Sequence, residues 1–204
     1  MATRNNSLQW GLVIVVLIVI ISGMTIANYN FASKNPGGND FLVHWVGTRN
    51  LVFEGISPYS DETALDIQTL AYGRPARADE HELRVAYPLY SIVVFFPFAL
   101  IKDFNIARAV WMTTLELALL ALSFVSIRIV NWKPKTLTLV IFFLFSMLWY
   151  HAVRPLINGN VVILIALGLA GAFLAIRDGR DELAGVLLAL TTIKPQVTLV
   201  VLVF

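Results

Sequence analysis

The chain predicts an all-α, polytopic membrane helix bundle, and three observations predict it. Mean hydropathy is +0.75. Hydrophobic residues make up 58% of the 204 positions and charged residues only 14%, where soluble domains carry about 25% charged residues. The apolar residues are gathered into about six runs, each near the roughly 17 to 25 residues that cross a bilayer as a helix.

The first run, residues 8–28, lies in a stretch with no charge between Arg4 and Lys34, enough to cover about 30 Å of hydrocarbon at about 1.5 Å per residue. A cleavable signal peptide is the competing reading, but its apolar region runs about 7 to 15 residues and ends in alternating small residues. The longer run favours an uncleaved anchor. Residues 29–84 form the one sizeable loop, and the remaining spans are expected within 85–204, at 85–101, 104–127, 136–153, 161–176 and 183–204. The whole chain reads as one transmembrane domain. The run at 161–176 is marginal in length, and Asn158-Gly159-Asn160 before it can equally open a re-entrant helix buried in protein.

The loop at 29–84 holds eight of the thirteen acidic residues against five basic ones. With no positive excess it belongs on the non-cytoplasmic side, which leaves Arg4 cytoplasmic. Strict alternation of six spans then carries Arg128, Lys133 and Lys135 outside, against the same tendency. Either a later run is re-entrant or the bias is overridden.

Within the loop, residues 40–54 read as a helix lying along the membrane interface. Phe41, Trp45, Thr48 and Val52 recur at helical spacing and form an apolar stripe for the headgroup region, with Asp40, His44, Gly47 and Glu54 on another side. Asn39 or Asp40 suits the cap and Gly55 the stop. Residues 61–71 form a second short helix, and the chain re-enters the membrane near Tyr87-Pro88.

Composition removes several function classes. There is no cysteine, hence no disulfide, thiolate ligand or thiol nucleophile. A net charge of +2, scattered through short turns, argues against nucleic acid. His81 and His151 fall into no ligand cluster, which argues against a metal site. No cofactor is called for.

Asp40 is the first candidate for chemistry. An acid at a helix start is favoured by the unpaired amides and the macrodipole, so a cap is one reading. A carboxylate at the interface, opening a long loop on a chain poor in other polar features, can also serve as a general base. Lys194 is a charge within an apolar run, where an ionisable group faces a polar cavity or snorkels to an interface. His44, one turn from Asp40, can orient an acceptor. Tyr59 and Tyr87 are interfacial anchors or carbohydrate platforms. Arg49 falls on the opposite side of the helix from Asp40. Glu116, inside the run at 104–127, expects Arg108 or a group on another helix as its partner.

Four places together resemble glycosyltransferase family 87 of the GT-C class, the polyprenol-phosphate-mannose-dependent mannosyltransferases. Asp40-Phe41 followed by Gly55-Ile56-Ser57-Pro58-Tyr59 is similar to the family's first-loop pattern, and Tyr87-Pro88-Leu89 with Pro97 is similar to its Tyr-Pro-Pro segment. Gly159-Asn160 resembles its Gly-Gln-x-Asn motif. Arg180-Asp181-Glu182-Leu183-Ala184-Gly185, running to Ile193-Lys194-Pro195, resembles its Leu-Ala-Gly to Lys-Pro helix. The chain departs from the family at His44 (usually Tyr), Leu89 (the second Pro) and Asn160 and Val162 (Gln and Asn).

The resemblance implies a GT-C-like bundle in the plasma (inner) membrane, of which this chain is an amino-terminal portion. It also implies an inverting transfer of mannose or another hexose from a polyprenyl-phosphate-linked donor to a lipid or glycan acceptor, among membrane lipids at the non-cytoplasmic face. Asp40 is then the catalytic base, and His44, Tyr59, Tyr87 and Lys194 contact substrate. A membrane transporter, which needs a repeat of spans, and a noncatalytic membrane subunit are the alternative functions.

Overall fold

A computed structural model describes the backbone of residues 2–203 and the side chains of residues 8–199, which leaves the side chain of Arg4 and all of Phe204 outside the described residues. The described residues form helices and no strand. In chain order these are α1 (Ala2–Ala32), α2 (Asn39–Arg49), α3 (Asp61–Tyr72), α4 (Ile92–Ala99), α5 (Phe104–Ile129), α6 (Thr136–Leu148), α7 (Tyr150–Asn158), α8 (Val162–Arg177), α9 (Asp181–Thr191) and α10 (Pro195–Val203). A π turn, Asn50–Glu54, extends α2, and a 3₁₀ turn, Leu89–Ser91, precedes α4. The long helix α5 is the hub: α1 and α8 pack on it, and α9 packs on α8.

Among the described residues, two helices are long and apolar enough to cross a membrane alone, Leu8–Ala32 and Phe104–Ile129. A third crossing exists if α6 and α7, bent by 44°, count as one. The other runs expected to span fall short of this length as single helices, and chain breaks explain why. Trp149, at the α6–α7 bend, has extended backbone, and Gly159 ends α7 at φ +71°. Pro195 opens α10 as the first helical residue, where its missing N–H costs nothing, and it disfavours helical geometry at Lys194.

The run at 85–101 is the clearest departure from expectation. Its helical core, α4, has eight residues and rises only about 12 Å. It packs along α2, burying Phe95 and Ala99. Trp45 Nε1 donates to the carbonyls of Phe98 and Ile101, and Arg49 donates to Ala99 O at 2.6 Å. These bonds occupy carbonyls that a longer helix would have used itself. One face of the segment, Phe95 and Ala99, is covered by protein, while Val93, Phe96 and Leu100 remain exposed.

The same contacts correct the reading of α2. Every residue from Phe41 to Thr48 is buried, so its aromatic stripe enters the protein core and not the headgroup region. Phe41 stacks on Trp111 at 5.3 Å and on Phe104 at 6.0 Å. Gly38, in left-handed backbone, occupies the N-cap position expected for Asn39 or Asp40, and no side chain caps the helix. Gly55 provides the C-terminal stop at φ +69°. Of the two partners expected for Glu116, Arg108 or a group on another helix, it has the second: Asn28 of α1 donates to it at 2.9 Å, and Asn28 and Thr25 both bond Thr113 of α5. Arg108 turns elsewhere.

Two ends of the bundle are fixed by long-range contacts. Arg177, at the end of α8, donates to the carbonyls of Arg128 and Ile129 at the end of α5. Asp40, Asn160 and Lys194, from α2, the start of α8 and the α9–α10 junction, meet at the opposite end.

Candidate active site

Asn160 is the centre of a polar junction between three segments far apart in sequence. Its Nδ2 donates to Asp40 Oδ2 at 2.7 Å. Its Oδ1 accepts from Lys194 Nζ at 3.0 Å and from the Val162 amide at 3.0 Å. A carboxylate on one side and two donors on the other leave the amide a single sensible orientation. Asp40 and Lys194 are thus tied through one neutral side chain, and among the described residues Asp40 Oδ1 has no partner. Both charged groups are half-buried.

Local structure explains why these side chains arrive here. Asp40 sits in the first turn of α2, where the helix amides favour a carboxylate. Asn160 follows Gly159, whose positive φ turns the chain sharply between α7 and α8. There is no room for a side chain at Gly159, because a Cβ would stand 2.5 Å from Phe41 Cβ and 3.2 Å from Trp111. Lys194 is in the break that Pro195 enforces, so its side chain leaves the helix at the junction.

An aromatic wall borders the junction. His44, 6% exposed, stacks on Tyr87 with ring centres 3.9 Å apart and on Phe95 at 4.8 Å. Burial, with the charge of Lys194 adding to it, depresses the His44 pKa to about 3. This imidazole is neutral at physiological pH. Lys194 Nζ lies 5.8 Å from the Tyr87 ring centre, near the limit of a cation–π contact. Burial and the nearby Asp40 charge raise the Tyr87 pKa to about 12, so its hydroxyl keeps its proton. Tyr59 is half-exposed and donates to Tyr87 O at 2.7 Å, which fixes the backbone under the ring.

All five residues singled out in the sequence, Asp40, His44, Tyr59, Tyr87 and Lys194, therefore fall in one neighbourhood. Arg49 points away, bonded to Ala99 O and set over the Trp45 and Phe53 rings. The residue that sequence reasoning missed is Asn160. It was legible only as part of a Gly-Asn pair before an apolar run, with nothing to say that it faces Asp40, 120 positions earlier.

The crevice against His44, Tyr59 and Tyr87 holds about 10 Å³, too small for a sugar ring. An apolar cleft of about 330 Å³ lies between α4, α8 and α9. Its walls include Val161 and Ile193, the immediate neighbours of Asn160 and Lys194.

Comparison with known families decides the class. The family model described as glycosyltransferase family 87 matches residues 86–204, more than half of the chain. The chain belongs to glycosyltransferase family 87. No curated protein and no solved structure matches it. The matched region contains Tyr87, Asn160 and Lys194, whereas Asp40, His44 and Tyr59 precede it. The Asp40–Asn160 hydrogen bond physically joins the first loop to the part of the chain that carries the family-87 signature. Family 87 makes the chain a glycosyltransferase, acting on a sugar donor and an acceptor, and its two or three long apolar helices fit a membrane protein.

Proposed function

We propose that this family-87 member is an integral-membrane GT-C enzyme. It moves mannose or another hexose from a polyprenyl-phosphate-linked donor to a lipid or glycan acceptor at the non-cytoplasmic face, with inversion and with Asp40 as general base. The observation that carries this reading is the pairing of one carboxylate and one ammonium on either side of Asn160, beside an apolar cleft. The carboxylate suits a hydroxyl that must lose a proton, the ammonium suits a departing phosphate, and the cleft suits a prenyl chain.

In this mechanism the acceptor hydroxyl oxygen attacks the anomeric carbon while its proton passes to Asp40 Oδ1. The bond between the anomeric carbon and the phosphate oxygen breaks, and its electron pair leaves with polyprenyl phosphate. Lys194 offsets the charge on that leaving group. Attack opposite the departing oxygen inverts the anomeric centre. The protonated Tyr87 offers its hydroxyl to the sugar without adding charge, and neutral His44, stacked between Tyr87 and Phe95, holds that ring in place.

Charge topology supports the placement. Because α4 turns back along α2, α5 is the second crossing and not the third. Arg128, Lys133 and Lys135 then fall on the side of Arg4, and so do Arg177 and Arg180 after α8, while Asp40, Asn160 and Lys194 share the other side. The basic residues of the short turns after α5 and after α8 become cytoplasmic, as positive-inside bias favours, and the acidic-rich first loop stays outside. The conflict produced by counting six spans disappears.

The test is transfer by protein reconstituted in lipid vesicles, with a radiolabelled polyprenyl-phosphate hexose as donor and membrane lipid extract as acceptor. The expected result is a labelled glycolipid with inverted anomeric configuration. Transfer from a nucleotide sugar alone, or a product with retained configuration, overturns the reading.

A further inference from the structure

Arg108 is 1% exposed, sits one turn into α5, and forms no ion pair with any carboxylate among the described residues. Its partners are two main-chain carbonyls on separate segments: Nη1 donates to Asn35 O at 2.7 Å and Nη2 to Ile157 O at 3.3 Å. Nε is buried without a partner, and the Phe31 ring centre lies 5.8 Å from Cζ. Burying a guanidinium with so little compensation is costly. A leucine would fill the space more cheaply, so the two carbonyls need a reason.

The two carbonyls belong to the segments that carry the candidate active site. Asn35 lies five residues before Asp40, and Ile157 three residues before Asn160. The chain at 37–38 is drawn over the guanidinium so closely that a Cβ on Gly38 would stand 2.6 Å from Arg108 Nε and 2.9 Å from its Cδ. Gly38 is in left-handed backbone, so that position suits glycine in both space and conformation. One turn along the same face of α5, Trp111 Nε1 donates to Gly159 O at 2.8 Å while its ring stacks on Phe41. Two side chains one turn apart on α5 therefore each hold both segments, Arg108 by a hydrogen bond to each and Trp111 by hydrogen bond and stacking.

We infer that Arg108 is a positioning residue of the transferase, a clamp that holds the Asp40 segment against the Asn160 segment so that the base stays in register with the Asn160–Lys194 pair. Its planar fork reaches two carbonyls at once, which the single ammonium of a lysine cannot do with the same geometry. Reaction geometry is sensitive to displacements of about 1 Å, so a loosened clamp lowers turnover before it weakens substrate binding. The inference rests on the proposed function for its catalytic consequence, but its structural content stands apart from it.

The absence of native cysteine permits a test with two readouts. Asn39→Cys and Asn158→Cys, both at exposed positions, place spin labels on the two segments of the reconstituted protein. Arg108→Met is expected to broaden and lengthen the label-to-label distance, with Arg108→Lys intermediate. In the unlabelled protein, Arg108→Met is expected to lower kcat by about tenfold or more while the donor KM stays within about twofold. In Arg108→Ala, added guanidinium ion should restore part of both the distance and the turnover. An unchanged distance, or a rise in KM that accounts for the loss, overturns the clamp. If Arg108→Met does not fold, the Lys variant decides on the same two readouts. If wild-type protein transfers no sugar, the enzymatic reading fails while the distance measurement still tests the clamp.

Discussion

Helices α2 and α3 lie eleven residues apart in one connecting region, both begin with an acidic residue in the first turn, and they are built to opposite rules. In α3 only Thr63, Ala64, Ile67 and Gln68 are buried. Asp61 and Glu62 face water, with Asp61 paired to Arg84; Asp66 accepts from Asn50, and Ser60 caps the helix by accepting from the Thr63 amide. This is an amphipathic helix resting on protein. In α2 eight consecutive residues are buried, His44 among them, and no side chain caps it. A charged or ionisable group is tolerated in such surroundings only when something specific holds it, and Asn160 holds Asp40. A first-turn aspartate is an exposed ion-pair partner in one helix and a candidate base in the other, and what separates them is the partner that arrives from 120 residues away.

Exchanging the two carboxylates for amides gives the largest expected effect. Asp40→Asn keeps the shape and can still bond Asn160, but it accepts no proton, so transfer should fall by about 10²- to 10⁴-fold. Asp61→Asn, in the first turn of α3, should leave transfer at the wild-type level. Radiolabel transfer in vesicles measures both, and equal losses in the two variants would erase the functional distinction between the helices.

Asn160→Ala comes next. It removes one hydrogen bond to a carboxylate and one from an ammonium, and bonds to charged groups carry about 1.5–3 kcal/mol each. A loss of about 2 kcal/mol in transition-state stabilisation corresponds to a drop of about 30-fold in kcat/KM. The fall should appear mainly in kcat if Asn160 aligns Asp40, and mainly in KM if its first task is to hold Lys194 for the donor. The partition between the two sharpens the account of what α2 gains from its distant partner.

Much of this frame was legible in the sequence. The long spans at α1 and α5, the two short helices between them and the Gly55 stop follow from hydropathy length, 3.6-residue spacing and the backbone freedom of glycine. The region at 85–101 was not legible. Apolar content reports that a surface avoids water, and it does not say whether lipid or protein covers it. Phe95 and Ala99 are covered by α2, so a run of spanning composition became a short helix folded back. The stripe on α2 was misread for the same reason in reverse, as a membrane-facing surface when it faces the core. For Glu116 the sequence left Arg108 and a group on another helix both open, and the partner is Asn28 of α1; which helix supplies it is not written in local sequence. Asn160 shows the limit most plainly: a helix-start asparagine has a sufficient local explanation in its bond to the Val162 amide, and only tertiary structure reveals its other two contacts.

Acid gives the smallest effect and separates the two regions by window. His44 has its pKa depressed from 6.5 to about 3 by burial, so below pH 6.5 the unfolded chain binds a proton that the folded chain refuses. Stability is therefore lost as pH falls from about 6.5 toward 3, by about 1 kcal/mol at pH 6. Glu80, in the exposed segment after α3, is depressed to about 2 by its hydrogen bonds from Arg74 and the Arg77 amide. Its contribution is present above its ordinary value of 4.5 and is lost as pH falls from there toward 2. Thermal midpoints of detergent-solubilised protein between pH 7.5 and pH 5.5 should thus carry a decline due to His44, and His44→Phe should reduce the slope. Added salt screens the Arg74–Glu80 pair and leaves the slope due to the buried imidazole unchanged. An identical slope in wild type and His44→Phe would mean that His44 is hydrated in the folded protein, and α2 would then be a surface helix like α3.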